Sequence, residues 1–325
     1  MKNNKQNFAL NVSDLTVYTD QIGNGLAKEI LLNANTIKGN ITSVQYGAVG
    51  DKVALNVVKS TMIGVNSACG EFADTGSTIL AQETVQMCPI KFSQEICLDT
   101  LDKYYYSYYM ERQYNTESLG SFADVFYANK VEATALELDR IIWRGTSSGA
   151  YPASYSAQTG NLTLCDGFVQ VAWENSASTV NVVRSAITSS NGYVVVDSIV
   201  SSVATNAAAM LDEFNIYLSP ADFQNYLASL RALNLFHYDT QSAGVSEIHH
   251  PGSIGAKVIK TNGLVGSTSG TLIATKKENI WVVLSSEEDL QFKSWYSNDF
   301  DSLRMMAKVK IGVGFYQPEL VVRAA

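Results

Sequence analysis

Residues Leu303 to Phe315 alternate without a break. One side holds Leu303, Met305, Ala307, Val309, Ile311, Val313 and Phe315, and the other holds Arg304, Met306, Lys308, Lys310, Gly312, Gly314 and Tyr316. Only an extended strand sorts residues onto two faces at a period of two. At about 3.3 Å per residue this strand spans ~43 Å, far beyond the typical five or six residues. Such a strand needs an apolar surface of matching length. Ser118 to Gly145, SLGSFADVFYANKVEATALELDRIIWRG, supplies one. Leu119, Phe122, Val125, Phe126, Ala133 and Leu136 recur at spacings of three, four and seven, which predicts a long amphipathic helix. Ser118 is placed to cap it, Asp124 suits its positive end, Arg140 and Arg144 fill its last turn, and Gly145 stops it. At ~1.5 Å rise that rod measures roughly 38 Å, so strand and helix are expected to lie along each other.

The remainder divides around these two rods. Residues 1–45 are polar and Asn-rich, with one helical candidate, Gly25 to Ile37, carrying Leu26, Ile30 and Ala34 on one side. They hold no core of their own and read as an arm lying on something else. Residues 52–96 read as two strands around a tip, Cys69-Gly70-Glu71-Phe72-Ala73-Asp74-Thr75-Gly76, rich in turn residues. Val53, Leu55 and Val57 alternate on the way out and Val85 and Met87 on the way back, until Pro89 breaks the parity and implies an edge or a bulge. Arms of about 15 residues would reach ~50 Å. A lone two-stranded ribbon is marginal in water, so this one is expected to lie on another surface, a neighbouring subunit being the natural candidate. Leu98–Tyr114 reads as a helix whose tyrosines pack or meet a partner, because Lys and Arg are not interleaved among the rings as in a base-stacking surface.

A stretch from about 150 to 195 has loop character until Phe168. An α+β lobe follows. Asp197 is expected to cap a helix bearing Ile199, Val203 and Met210. A strand at Asn215–Leu218 leads into Ser219-Pro220-Ala221-Asp222, a helix start with a Ser cap, Pro in the first turn and a carboxylate three residues on. That helix should bury Phe223, Leu227 and Leu230. Strands are expected at Ala256–Lys260, Thr271–Thr275 and Asn279–Leu284.

Charged residues make up only 17% of the chain and the net charge is −8. A weakly charged surface suits a protein covered by partners, since interface cores are depleted in Lys, Glu and Asp. The negative balance argues against wrapping nucleic acid through a general basic surface. No signal peptide and no membrane-length apolar run is visible, so the chain reads as a soluble product of a reducing cytoplasm. Cys69, Cys88, Cys97 and Cys165 show no C-x-x-C spacing and read as small hydrophobes or incidental thiols.

Chemistry is hard to find. Gly23-Asn24-Gly25 lacks the rest of a phosphate loop. Ser147, within Gly145–Gly149, follows a helix rather than a strand, and Gly266–Gly270 lies between strands, so neither is a nucleophile elbow. His237, His249 and His250 complete no zinc pattern, and Glu287-Glu288-Asp289 lacks the alternating ligands of a calcium loop. Arg304, Lys308 and Lys310 share one face of the long strand, where phosphates, a neighbour's carboxylates or plain solvent can meet them.

The order of parts is polar arm, long hairpin, long helix ending in apolar-Trp-Arg-Gly, α+β lobe, long strand and short last strand. It resembles the major capsid protein of tailed double-stranded DNA bacteriophages, the Hong Kong 97-type fold, over nearly the whole chain. Leu55–Ser60, Ala68-Cys69-Gly70 and Ile79–Pro89 are further similar to capsid proteins of Bacteroidetes phages. The resemblance implies an α+β fold with an N-terminal arm at 1–45 and an extended loop at 46–97. A peripheral domain with the spine helix takes 98–165 and 286–316, and an axial domain takes 166–285 and 317–325. It implies a non-enzymatic subunit without cofactor or metal, forming hexamers and pentamers of an icosahedral head. That head is assembled in a bacterial cytoplasm, becomes the virion, and touches portal, scaffolding or decoration proteins and packaged DNA but no membrane. Some 45 residues ahead of the hairpin are too few for a cleaved scaffolding domain, so a separate scaffold or none is implied. The expected assembly residues are Cys69, Gly70, Glu71, Phe72, Asp74 and Gly76 at the tip, with Arg304, Lys308 and Lys310. A host-encoded nanocompartment shell of the same fold, or a soluble enzyme with an unrecognised site, are the alternatives.

Overall fold

The computed structural model describes residues 23, 25–61, 76–114, 122–147, 159–207, 210–235, 246–285 and 290–324. The tip residues Cys69, Gly70, Glu71, Phe72 and Asp74, the helix-start residues Ser118 and Leu119, His237 and the run Glu287–Asp289 lie outside them. The helices are α1 (25–33), α2 (Asn35–Lys38), α3 (Leu98–Tyr114), α4 (Phe122–Arg144), α5 (Phe168–Glu174), α6 (Gly192–Asn206) and α7 (Pro220–Ala232). The strands are β1 (Ser43–Ala48), β2 (Lys52–Thr61), β3 (Ser77–Gln86), β4 (Cys88–Cys97), β5 (Val180–Val182), β6 (Phe214–Leu218) and β7 (Glu247–His249). They continue with β8 (Ala256–Lys260), β9 (Leu272–Thr275), β10 (Ile280–Ser285), β11 (Gln291–Ser297), β12 (Ser302–Phe315) and β13 (Val322–Ala324). Both long rods are present, as α4 and β12.

β12 is the axis of the first sheet. β4 runs antiparallel along one edge of it, and β11 and then β10 run along the other, with β1 parallel to β10 outside. The odd-numbered face of β12, from Leu303 to Phe315, is buried in one core with Tyr127, Val131, Leu138, Ile142 and Trp143 of α4. Tyr127 closes the contact from the helix side. Its ring meets Phe292 edge-on at 5.7 Å, and its hydroxyl lies 2.8 Å from Ser294 Oγ. Pro89 sits opposite Lys310 on β4, which pairs only with β12 among the described residues; an edge is where a missing N–H is tolerated.

The buried stripe of α4 is not the one expected. Leu136 is 46% exposed and Ala133 is exposed too. At about 100° per residue, Leu136 lies opposite Tyr127. The stripe that meets the sheet is Tyr127, Val131, Ala135, Leu138 and Ile142, spaced four, four, three and four. Gly145 follows the helix end, but its glycine character serves packing: a Cβ there would stand 2.1 Å from the Cys165 carbonyl oxygen. The chain crosses itself at that point, with Gly167 N–H donating to the Gly145 carbonyl at 2.8 Å.

The N-terminal helical stretch lies on this core. Leu26, Ala27, Ile30, Leu31 and Ala34 are all buried in it. A buried network fastens it to α4. Trp143 Nε1–H donates to Thr36 Oγ1 at 2.7 Å, and Thr36 donates through its backbone N–H (2.9 Å) and its hydroxyl to Asp139 Oδ1. Burial raises the Asp139 carboxyl above its usual range, against the pull of those two Thr36 bonds.

The second sheet, in the order β5-β13-β9-β6-β8-β7, is buried on both faces at its centre. Tyr217 of β6 belongs to the first core, while Phe214, Ile216 and Leu218 pack against α6 and α7 in a second. The Ser219 start of α7 is as expected: Ser219 Oγ accepts from Asp222 N–H at 3.1 Å, and Phe223, Leu227 and Leu230 are buried. The Asp222 carboxylate turns away from the cap and accepts instead from Ser269 Oγ (2.7 Å) and Gly270 N–H (3.0 Å). The Asp197 cap is corrected. α6 begins at Gly192, and Asp197 stands inside it, 3.4 Å from His250 Nε2.

The cysteines also depart from expectation. Cys88 and Cys165 form a disulfide with a Cα–Cα distance of 5.8 Å, which joins β4 to the segment after α4. Cys97 is free and exposed.

Candidate assembly surface

The β2–β3 ribbon has a seated face and an open face. Near its base, Leu55, Val85 and Met87 are buried with Ala48 of β1 and Val283 of β10. Gly312 and Gly314 on the even-numbered face of β12 make room for this seat. A Cβ at Gly312 would stand 2.8 Å from Val85 Cγ1 and 2.9 Å from Met87 Sδ, and one at Gly314 would stand 2.5 Å from Val85 Cγ2. The glycines of the alternating strand thus mark where a second layer crosses it. Among the described residues the paired ladder is ten residues a side, and at its base the return strand ends at Gln86, after which β4 joins β12. On the ribbon face turned away from the seat, the cross-strand pair Val58 and Leu80 are 56% and 78% exposed, while Ile79, on the seated face but past Val57, is 56% exposed. Val58 and Leu80 thus stand side by side as exposed apolar surface, the kind that an interaction site presents. Of the expected tip residues, Gly76 is described, half-buried beside the start of β3.

The three expected cations do share the outward face of β12, but two are already engaged. Arg304 Nη2 lies 3.1 Å from Glu95 Oε1 across the ladder, and Lys310 Nζ lies 3.0 Å from Asp51 Oδ1. The Ser302 hydroxyl first, then the Arg304 guanidinium, hold the Glu95 carboxyl below its usual range. Lys308 is exposed and forms no ion pair among the described residues. Two cations that sequence reasoning missed stand beside it, Lys91 on β4 and Lys293 on β11. Their signal was present in the outward parity of Pro89-Lys91-Ser93-Glu95 and Gln291-Lys293-Trp295, but it becomes a patch only once the register is known.

The His250 ring stacks on Tyr193 at 4.9 Å and its Nδ1 lies 2.9 Å from the Tyr226 hydroxyl. Burial lowers its pKa, and Asp197 opposes that shift. Ser147 donates to Asp166 Oδ2 at 2.7 Å and has a carboxylate, not a histidine, as its partner. A cleft of about 590 Å³ between the N-terminal segment and the second sheet is lined by amide and charged side chains, among them Asn35, Glu213, Lys257 and Glu278. Among the described residues no helix is long and apolar enough to cross a membrane, and no group of three or more His, Cys, Asp or Glu is placed to hold a metal.

No protein-family model and no curated protein matches the sequence. Solved structures do match the fold. The satellite phage P4 procapsid with its size determination protein aligns with a TM-score of 0.53 at 11% identity, over 92% of this chain and 98% of that one. A virus-like particle from Pyrococcus furiosus aligns with a TM-score of 0.52 at 11% identity, over 95% and 99%. Gordonia phage Cozz aligns with a TM-score of 0.51 at 12% identity, over 89% and 85%. The chain has the Hong Kong 97-type α+β fold. These likenesses lend no support to a Bacteroidetes origin.

Proposed function

We propose that this chain is the major shell subunit of a tailed double-stranded DNA phage. On this reading it assembles into hexamers and pentamers of an icosahedral head, works without turnover, and resides in the virion after assembly in the host cytoplasm. The observation that carries the reading is the exposed apolar surface of the ribbon. Val58, Ile79 and Leu80 expose apolar surface that a solitary subunit has no use for, on a fold shared with phage capsids. In this scheme residues 1–45 are the arm, the ribbon is the extended loop, the α4–β12 core is the peripheral domain, and the second sheet with α6 and α7 is the axial domain. The tip from Cys69 to Gly76 meets a neighbouring subunit. Portal, scaffolding and decoration proteins are further partners, and packaged DNA is contacted without sequence preference.

A second reading, a nanocompartment shell with protein cargo, draws on the likeness to a virus-like particle as well as to phage capsids. Sedimentation of the protein from its native producer, followed by nuclease challenge, separates the two. Fast-sedimenting particles with nuclease-protected duplex DNA support the phage head. Particles with protein cargo and no protected DNA support the compartment. A slow, small species contradicts both.

A further inference from the structure

The outward face of the first sheet carries a charge arrangement that folding alone does not account for. Lys308 on β12 is the direct cross-strand partner of Lys91 on β4, and both are exposed. Like charges directly opposite one another destabilise a ladder. Lys293, opposite Met306, is exposed one row away on the same face. None of the three forms an ion pair among the described residues, while Arg304 and Lys310 on that face are each matched by a carboxylate. A chain of net charge −8 thus gathers three cations without an ion-pair partner among the described residues on one sheet face.

At one end of the same sheet the sign reverses. The β11–β12 turn exposes Asp299 and Asp301. α3 begins beside it, with Leu98 N–H donating to the Asp301 carbonyl at 3.1 Å, so the exposed Asp99 stands at the same corner. Asp301 is held by the Tyr296 hydroxyl, whereas Asp99 and Asp299 form no ion pair among the described residues. Six residues of β12 separate this corner from Lys308, roughly 20 Å. The sheet is therefore acidic at one end and basic along its middle.

We propose that copies of this chain dock head to tail, the Asp99/Asp299 corner of one on the Lys91/Lys293/Lys308 face of the next. This deepens the shell reading and rests on it. Contact between two different patches is heterologous, and such contacts close into rings when the rotation allows, as a capsomer requires. Trp295, exposed beside Arg304 on the same face, suits a protein partner, because interfaces are enriched in Trp and Arg.

The test uses the full chain at about 0.15 M salt, with sedimentation velocity reading the assembled fraction and circular dichroism reading the fold. Lys91→Glu with Lys308→Glu is expected to lower assembly by roughly tenfold or more. Adding Asp99→Lys and Asp299→Lys to that same chain is expected to restore it, since every contact then pairs reversed charges. Lys91→Gln with Lys308→Gln guards against misfolding: the unassembled subunit should melt no lower than wild type while assembly still falls. Wild-type assembly by both lysine variants overturns the proposal, as does a folded charge-swap variant that is not rescued. Intact assembly with lost binding of a short DNA duplex also overturns it, by assigning the face to nucleic acid. If the wild-type chain itself does not assemble, the shell reading fails first and this contact with it.

Discussion

Opening the Cys88–Cys165 disulfide is a clean perturbation of the subunit, because it removes one covalent tie without changing a side chain in the core. The bridge closes a loop of 77 residues that contains β4, α3 and α4. On the chain-entropy account, a loop of that length restricts the unfolded chain by about 4.5 kcal/mol at 25 °C, and measured bridges typically deliver about 2–4. The reduced subunit should therefore unfold at clearly lower denaturant, by about 3 kcal/mol. Cys88→Ser with Cys165→Ser should match the reduced protein and ignore reductant. Disulfides are rare in a reducing cytoplasm, so protein isolated under reductant should start in the weaker state and gain stability on oxidation. The assay is urea unfolding of the unassembled subunit with and without reductant, beside a thiol count under denaturing conditions. Two fewer thiols should titrate before reduction than after. Superimposable unfolding curves, with the count confirming that the bridge had opened, would refute the reasoning.

Leu138→Ala, at a fully buried position of α4, should cost about 2–5 kcal/mol in urea unfolding. Leu136→Ala on the opposite, exposed side should change stability by less than about 0.5 kcal/mol, and equal losses would reverse the assignment of the helix face. Leu80→Asp, on the open face of the ribbon, should leave the circular dichroism of the subunit unchanged and abolish particles; normal particle counts would show that this surface is idle. Burial lowers the His250 pKa below its ordinary 6.5, so between 6.5 and the lowered value the native state holds fewer protons than the unfolded chain. Stability should thus fall as pH drops through that window, and His250→Gln should flatten this part of the profile, measured by thermal melting across pH.

The long elements were legible because their signals are local. The alternation from Leu303 to Phe315 is β12 to within one residue, and the bounds of α3 and β8 match the expected ones. The Ser219 cap and Pro220 start were equally readable, since a cap depends on its own few residues. What failed depends on partners far away in sequence. Spacing alone does not give the α4 stripe, because Leu136 continues an apolar spacing begun by Phe122, yet the sheet sits against Tyr127, Val131 and Leu138. The return strand reads as running on to residue 96, because nothing near Pro89 says that Cys88–Cys97 pairs with β12 instead of β2. Asp197 resembled a cap because the helix begins five residues earlier at a glycine, with no side-chain cap to announce it. The cysteine pairing spans 77 residues and leaves no local trace. The assembly face was half legible. The parity of β12 put Arg304, Lys308 and Lys310 on one side, but only the register shows that Glu95 and Asp51 engage two of them and that Lys91 and Lys293 join the third.

The central claim is that this chain builds a closed shell from many copies of itself. Electron microscopy of the purified full-length protein tests it most directly, in samples spanning dilute to concentrated. The account predicts closed, icosahedral particles of uniform size, or ring-shaped capsomers as their precursors. A field of small, monodisperse particles of single-subunit size at every concentration would contradict it.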